Sequence, residues 1–454
     1  MDIKDKVLNY IKNKNLISHG DSLICAVSGG ADSVCMLDIL VSIREEFSLS
    51  IYVAHLNHNL RGDEAKRDEL FVKSLCENYS LPFYSKTVDV KELSKELKVS
   101  CEEAGRIARY EFFSELKKEL NAVKVSTAHN KNDNVETVLM RMFRGTDLKG
   151  LSGISPLNDN SVIRPILCLS RDEIENYLRC KGLSFVTDST NLENNFTRNK
   201  IRNTLIPSIK EDYNEKIVDV FSSNIELFDE ANSFVEKYVD ERFNELAVRE
   251  DYGIYFDASS ILKEDIYIAK RIIKKAIFLI DNLNITNNLC NIIYDSLTKD
   301  NIISISDALK VYFKYGKVYF VKENKNSGFL YRFDNFGTYY IQEIKSFLEI
   351  NEFNGVPDFR DKNTIFLPYK KDFNFVLRSR KNGDRINLLR CGTKKISDIF
   401  TDEKIPSFLR DEIPIFEYNK EIIWICNLRK SAIFSNISNN KYIKISLHKE
   451  QSDA

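Results

Sequence analysis

Six residues, Ser28-Gly29-Gly30-Ala31-Asp32-Ser33, have the types and spacing to hold a polyphosphate. They follow the apolar run Leu23-Ile24-Cys25-Ala26-Val27 and precede a helical pattern from Val34 to about Glu46. Glycines let a backbone approach an anion closely, and the first N–H groups of a helix lack internal partners. Those donors and the positive helix end make an anion site. Ser28 and Ser33 add hydroxyl donors, and Asp32 could hold a metal that bridges phosphates. No Gly-Lys-Ser/Thr closes the loop, so the pattern is not the Walker type.

Other segments carry chemistry of their own. His55-Leu56-Asn57-His58 ends an apolar run, and its histidines could bind a metal or a nucleotide, or simply form a polar strand edge. Glu103, Arg106 and Tyr110 share one face of a helix that also carries Arg109. An arginine aimed at a crevice can neutralise phosphate charge in a transition state; surface pairing is the plainer alternative. Ala128-His129-Asn130-Lys131-Asn132-Asp133 leads into another helix. There Asp133 can act as a cap, and Glu136, one turn in, can face the crevice as a base or cation ligand.

The elements that must position these residues can be read from periodicity. Candidate strands are 23–27, 50–55, 83–88 and 122–127, with helical stretches near 32–46, 63–79, 102–120 and 133–143 between them. Such alternation predicts an α/β domain, a Rossmann-like parallel sheet covered by helices on both faces. Ligands sit beyond the carboxyl ends of such strands, where the 28–33 loop, His55 and His129 all fall. Residues 144–163 read as a loop, and 170–181 as a helix. From 216 to 300 amphipathic helix patterns repeat, including 216–246 and 265–280. A turn-rich stretch at 322–328 suggests a boundary, beyond which short β-type runs (338–341, 375–378, 413–416, 421–426, 442–445) predict a small mixed α/β domain. The expected division is 1–213, 214–322 and 323–454.

Composition sets bounds on the whole. The 454 residues are 43% hydrophobic and 29% charged, enough for ordinary cores. No apolar run is long enough to span a membrane, and the charged start Met1-Asp2-Ile3-Lys4-Asp5-Lys6 is not of the export-signal type. The expectation is a cytoplasmic protein with no membrane partner. Nine scattered cysteines form no CxxC pair, which argues against structural zinc, an iron–sulfur cluster or a redox pair. The net charge of −1 announces no nucleic acid, but residues 370–395 hold nine basic side chains against Asp372 and Asp384. That segment could steer phosphate backbones or be a solvated surface. Dimers are common among soluble enzymes, so a homodimer stays open on base rate alone.

The 28–33 loop resembles the SGGxDS loop of the ATP pyrophosphatases, the PP-loop family, which split ATP between its α and β phosphates. Taken in order, SGGADS, HLNHNLRGDE, EEAGRIARY, AHNKNDNVET, RGTDLKGLSGI, RPIL and the tract from Asp188-Ser189-Thr190-Asn191 to Arg198-Asn199-Lys200-Ile201-Arg202 resemble the bacterial tRNA(Ile)-lysidine synthetases. Arg378-Ser379-Arg380-Lys381-Asn382-Gly383-Asp384-Arg385, followed by Lys394-Lys395-Ile396-Ser397-Asp398, is similar to the C-terminal domain of the longer members. The resemblance implies ATP, Mg²⁺, free L-lysine and the isoleucine tRNA with a CAU anticodon. The wobble cytidine would be adenylated on its carbon-2 oxygen, then attacked by the lysine ε-amine. It assigns Ser28, Gly29, Gly30, Ala31, Asp32 and Ser33 to ATP, with Asp32 the Mg²⁺ ligand. Arg109 would stabilise phosphate charge, and Glu136 would recognise lysine or activate its amine. His55 and His129 are nucleotide or substrate contacts. Arg198, Arg202, Arg378, Arg380, Arg385, Lys394 and Lys395 are tRNA contacts.

Two positions depart from the family pattern, which commonly has histidine at position 130 and aspartate at 132, where this chain has Asn130 and Asn132. Either His129 supplies the imidazole or the position does not require one. Three rivals are weaker. A tRNA thiolase usually needs cysteine pairs, an amidotransferase needs a glutaminase cysteine where this chain has Asp2, and a non-catalytic RNA binder would not need an intact loop with Asp32 and Ser33.

Overall fold

The computed structural model describes residues 2–59, 63–158, 160–186, 197–323, 328–389, 392–432 and 441–449. The chain divides into two compact units, Met1–Lys237 and Tyr238–Ala454, and the division falls inside the helix Ile217–Leu246.

The first unit is built on a five-stranded parallel sheet. Its elements are α1 (Ile3–Asn13), β1 (Ser22–Ala26), α2 (Ala31–Ser42), β2 (Ser50–Asn57), α3 (Asp63–Tyr79), β3 (Phe83–Thr87), α4 (Val90–Leu97) and α5 (Cys101–Glu119). They continue as β4 (Lys124–Ser126), α6 (Lys131–Arg144), the single turn α7 (Leu148–Leu151), β5 (Val162–Ile163) and α8 (Arg171–Lys181). The strand order is β3-β2-β1-β4-β5. Each neighbour pairing is parallel. The order reverses between β1 and β4, and that reversal is where ligand crevices open in sheets of this kind.

Successive side chains of a strand point to opposite faces, and both faces here are covered. Leu23 and Cys25 of β1 and Ile51 and Val53 of β2 pack with α1, α2, α3 and α8, through Val7, Ile11, Leu37, Val72, Ile174 and Leu178. Ile24 and Ala54 face the other way, onto Phe112, Phe113 and Leu116 of α5. Burial on both sides explains why β1 reads as a continuous apolar run. The four strands and the helices expected here are present. Strand β5, two residues inside the stretch read as a loop, is the added one.

Beyond α8 the chain turns helical at Thr197–Lys200, passes through a π-helical turn at Ile201–Leu205 and resumes as an α-helix at Ile206–Asp212. The helices expected near 216–246 and 265–280 are Ile217–Leu246 and Ile266–Asp281. The middle region also holds an antiparallel sheet of Val248–Glu250, Gly253–Asp257, Lys317–Lys322, Leu309–Lys314 and Asn301–Ser304, in that order, which the helical reading does not include. The C-terminal part is sheet-rich. Phe375–Arg378, Ile415–Tyr418, Glu421–Ile425 and Arg385–Leu388 belong to one sheet, and Gly337–Ile341, Ser346–Phe353, Tyr442–Lys449 and Thr364–Pro368 form another. Phe375, Phe416, Trp424, Leu348 and Ile445 make a core from residues of both sheets.

Candidate active site

The phosphate-type loop lies where the sheet order reverses, and it enters α2 without a side-chain cap. Gly29 has φ +93°, a backbone region that only glycine occupies cheaply. Gly30 is the N-cap of α2 and has no side chain to offer the first N–H groups. The helices α4, α5, α6, α7 and α8 are all closed by a side chain, from Asp89, Ser100, Asn130, Asp147 and Ser170 respectively. The contrast leaves the start of α2 open to an external acceptor. Internal bonds shape the loop: the Ser33 hydroxyl donates to the Gly30 carbonyl at 2.8 Å, and the Gly29 N–H donates to Ser33 Oγ at 3.2 Å. The Val186 N–H fastens the Gly29 carbonyl at 2.9 Å.

Asp32 sits in the first turn of α2 with both oxygens engaged. Asn130 Nδ2 donates to Oδ1 at 3.0 Å, and Arg171 Nη1 donates to Oδ2 at 2.7 Å. Burial raises the carboxyl above its ordinary value, the Arg171 charge opposes that, and Asp133 adds to it. No cluster of three or more His, Cys, Asp or Glu side chains able to hold a metal occurs among the described residues. Magnesium uses one or two carboxylates and completes its shell with phosphate oxygens and water, so the single carboxylate beside an open helix start fits that ion.

The two unusual asparagines have structural work. Asn130 caps α6 through Oδ1, which accepts the Asp133 N–H at 2.9 Å, while its amide nitrogen holds Asp32. Asn132 Oδ1 accepts the Arg171 N–H at 3.0 Å, at the start of α8.

His55 and His129 occupy different settings. His55 is buried, and its Nδ1 donates at 2.9 Å to the carbonyl of Val27, the residue just before the loop. It therefore braces the loop from β2. His129 lies against Thr127 Oγ1 at 3.2 Å. Burial, with Arg164, Arg198 and Arg109 nearby, lowers its pKa to about 4 against the opposing pull of Asp133. His58 is lowered to about 4 by burial, Arg109 and His55, and its Nδ1 has no partner among the described residues. Arg109 is thus within electrostatic reach of both histidines, and it has no ion pair among the described residues.

The two lowered histidines predict an acid limb. A histidine at about 4 in the fold and about 6.5 in the unfolded chain binds its proton more readily when unfolded. Their contribution to stability is complete above pH 6.5 and is lost as the pH falls toward 4. The melting temperature should drop across that window, and a His58→Gln/His129→Gln variant should show a flatter profile. A wild-type melting temperature constant from pH 7 to pH 5 would contradict the assignment.

Glu136 lies almost wholly buried on α6, bound by two arginines. Arg198 Nε donates to Oε2 at 2.8 Å, and Arg202 Nε donates to Oε1 at 2.6 Å. Both arginines also reach Asp133 Oδ1, at 3.0 and 2.8 Å. Arg202 sits in the π-helical turn, a distortion that recurs at functional sites. The two carboxylates and two guanidiniums form one neutral cluster beside the crevice.

In the second unit the basic residues separate into paired and open ones. Arg378 is buried and fully bonded, to Asp384, Glu417 and the Ser379 carbonyl. Arg380 pairs with Asp411 at 2.8 Å, and Lys394 with Asp402. Arg385 and Lys395 are exposed and directly opposite each other across two antiparallel strands. Like charges so placed repel, and a bound polyanion would relieve them. Arg390, Asp188-Ser189-Thr190-Asn191 and most of the 322–328 boundary lie outside the described residues.

Two arginines at the crevice were not singled out from sequence. Arg164, at the end of β5, is buried, donates to the Ser155 carbonyl at 2.5 Å and leaves Nε without a partner among the described residues. Arg171 opens α8. The signal was available: Ser170 and Glu173 form a capping box, which fixes the helix start, and a cation in the first turn opposes the helix dipole.

A PP-loop domain family matches residues 1–209, and a TilS substrate C-terminal domain family matches residues 375–447. A tRNA(Ile)-lysidine synthase of Clostridium perfringens is 35% identical over 97% of this chain and 98% of its own length. One from Clostridium tetani is 36% identical over 98% of each. A solved TILS C-terminal domain is 23% identical, covering 28% of this chain and all of that one, with a TM-score of 0.25.

Proposed function

From the premise that this chain belongs to the tRNA(Ile)-lysidine synthase family, we propose that it joins L-lysine to carbon 2 of the wobble cytidine of the CAU-anticodon isoleucine tRNA. ATP is consumed to AMP and pyrophosphate. The cytidine carbon-2 oxygen attacks the α-phosphorus of ATP, and pyrophosphate leaves. The lysine ε-amine then attacks carbon 2, loses a proton and releases AMP. The product pairs with A instead of G, so the codon read changes from AUG to AUA and the identity from methionine to isoleucine.

The observation that carries this reading is the open, glycine-capped start of α2 with Asp32 in its first turn. Loop N–H groups and the helix end would hold the phosphates. Magnesium bound at Asp32 would neutralise the leaving pyrophosphate. Arg109, free of any ion pair among the described residues, would take charge on the α-phosphate. Glu136 would serve lysine by exchanging one arginine contact for the substrate ammonium, an exchange that keeps the buried carboxylate paired. His55 supports the loop, and His129, neutral at physiological pH, can accept or donate a single hydrogen bond to nucleotide or substrate. A neutral amine is needed for attack, and a nearby carboxylate favours proton removal. Among the described residues no helix is long and apolar enough to cross a membrane; a tRNA substrate places the work in the cytoplasm.

We assign residues 1–213 to catalysis and 214–322 and 323–454 to tRNA. Phosphate contacts position RNA, and a splayed anticodon base is read by its edges. Within the basic segment, Arg385 and Lys395 are the open pair, with Arg380 and Lys394 shared with carboxylates. Arg385→Glu/Lys395→Glu should weaken tRNA binding about tenfold and reduce the log–log salt slope by about two. An unchanged slope would make the pair ordinary surface. The reaction itself is tested with labelled lysine, ATP and Mg²⁺ on two transcripts, the isoleucine and methionine tRNAs that share CAU. Labelling of the isoleucine tRNA alone is the expected result. Labelling of neither, with ATP bound, would point to another adenylating modification.

A further inference from the structure

Arg171 stands in an electrostatically awkward place. It is the first residue of α8, where a cation opposes the helix dipole. The free ends of α8 are already met: Asn132 Oδ1 takes the Arg171 N–H, and Ser170 Oγ takes the Glu173 N–H. The helix start is therefore closed to an anion, and what α8 offers the crevice is the Arg171 side chain.

That side chain is held by two carboxylates and keeps one arm open. Nη1 donates to Asp32 Oδ2 at 2.7 Å, and Nε donates to Glu175 Oε1 at 2.7 Å. Nη2 has no partner among the described residues. The Arg171 side chain is 39% exposed and Asp32 28%, so the pair borders the crevice and is not locked inside the core. A second link runs between the same helices: the Tyr177 hydroxyl donates to Asp38 Oδ2 at 2.5 Å. The pairs Asp32–Arg171 and Asp38–Tyr177 advance six residues together along α2 and α8, so the helices run parallel and bring both N-termini to one edge.

We propose that Arg171 is a pyrophosphate-binding residue, held in the free enzyme as the counter-ion of Asp32. The proposal rests on the ATP site assigned above. Were Asp32 to hold a dication, the Arg171 guanidinium, 2.7 Å from it in the free protein, would lose its acceptor and face a second positive charge. The nearest replacement is the β,γ-phosphate group seated on the open N–H groups of α2, which begin one residue before Asp32. Glu175 keeps Nε throughout, so only Nη1 changes partner and Nη2 comes into use. Two parallel N–H donors suit phosphate oxygens. The pair thus holds both side chains at the crevice before ATP arrives and supplies a cation to the leaving group afterwards.

Titration calorimetry on the full chain tests this with Mg²⁺-ATP, Mg²⁺-pyrophosphate and AMP as probes. Arg171→Ala should bind the first two about ten- to a hundredfold more weakly and AMP unchanged, because charge-assisted bonds to the β,γ group are lost. Arg171→Lys should recover part of the loss. Tyr177→Phe removes the other link between the helices, and it should lower the melting temperature while leaving pyrophosphate affinity intact. Wild-type pyrophosphate affinity in Arg171→Ala would overturn the proposal. So would equal losses for AMP and pyrophosphate, or a Tyr177→Phe loss matching that of Arg171→Ala, since either would mean that only helix docking had changed. A wild-type enzyme that binds ATP and yet makes no lysidine would overturn the proposed function and leave the Arg171 result standing.

Discussion

Asp32→Ala should cut AMP formation by about a hundred- to a thousandfold, while tRNA binding stays within about twofold of wild type. The size follows from what the carboxylate faces. Removing one preorganised group that meets developing charge costs on the order of a hundred- to a thousandfold, and Asp32 is the single carboxylate at the open start of α2. The fold should tolerate the change. Burial already raises the Asp32 carboxyl, so its ionised form is held at a cost, and Arg171 retains Glu175 as a partner. The isosteric Asp32→Asn should be nearly as inactive, which separates charge from shape. The measurement is AMP release from ATP in the presence of tRNA, beside a tRNA binding isotherm and a thermal melt. Full activity in Asp32→Ala would remove the ATP-site assignment. Loss of activity together with a collapsed melt would show a folding role instead.

The sheet of the first unit was legible because its central strands, β1 and β2, are buried on both faces. Such strands must be apolar throughout, and the helices between them must be amphipathic, so the alternation of the two patterns is written in the sequence. Strand β5 was not legible, since two residues carry no periodicity. The antiparallel sheet of the middle region was lost for a different reason. Its edge strands, Val248–Glu250 and Asn301–Ser304, are short and mostly exposed, whereas the adjoining helices Ile217–Leu246 and Ile266–Asp281 give long, strong patterns. At the site, the loop and its glycines could be read because a backbone conformation demands them, at Gly29 in particular. Partnerships could not. Nothing local in the sequence says that Glu136 meets Arg198 and Arg202, more than sixty residues away, or that Asn130 serves Asp32. Residue type gave the chemistry available to each side chain, and only the fold showed which of those capacities were already used.

That distinction decides the role of Arg378. Charge patterning groups it with the tRNA contacts, yet the residue is 5% exposed and every guanidinium nitrogen has an acceptor. Nε donates to Glu417 at 2.9 Å, and Nη1 and Nη2 donate to Asp384 at 2.8 and 3.0 Å. Asp384 also accepts the Lys381 N–H, which shapes the turn between the strands Phe375–Arg378 and Arg385–Leu388. Burial opposes the charge on Arg378, and its two carboxylates hold it above the ordinary arginine value. Removing one member of such a buried cluster leaves the others uncompensated, which costs about 3–5 kcal/mol. Arg378→Ala should therefore lower the melting transition of the second unit by roughly 6–20 °C at the usual sensitivity for a domain of this size. It should leave the salt slope of tRNA binding, measured below that transition, unchanged. The double variant at Arg385 and Lys395 should do the reverse, reducing the slope with little effect on melting, because both side chains are exposed. A stable Arg378→Ala protein with a shallower salt slope would return Arg378 to the RNA surface. It would also mean that Asp384 and Glu417 part from it when tRNA binds.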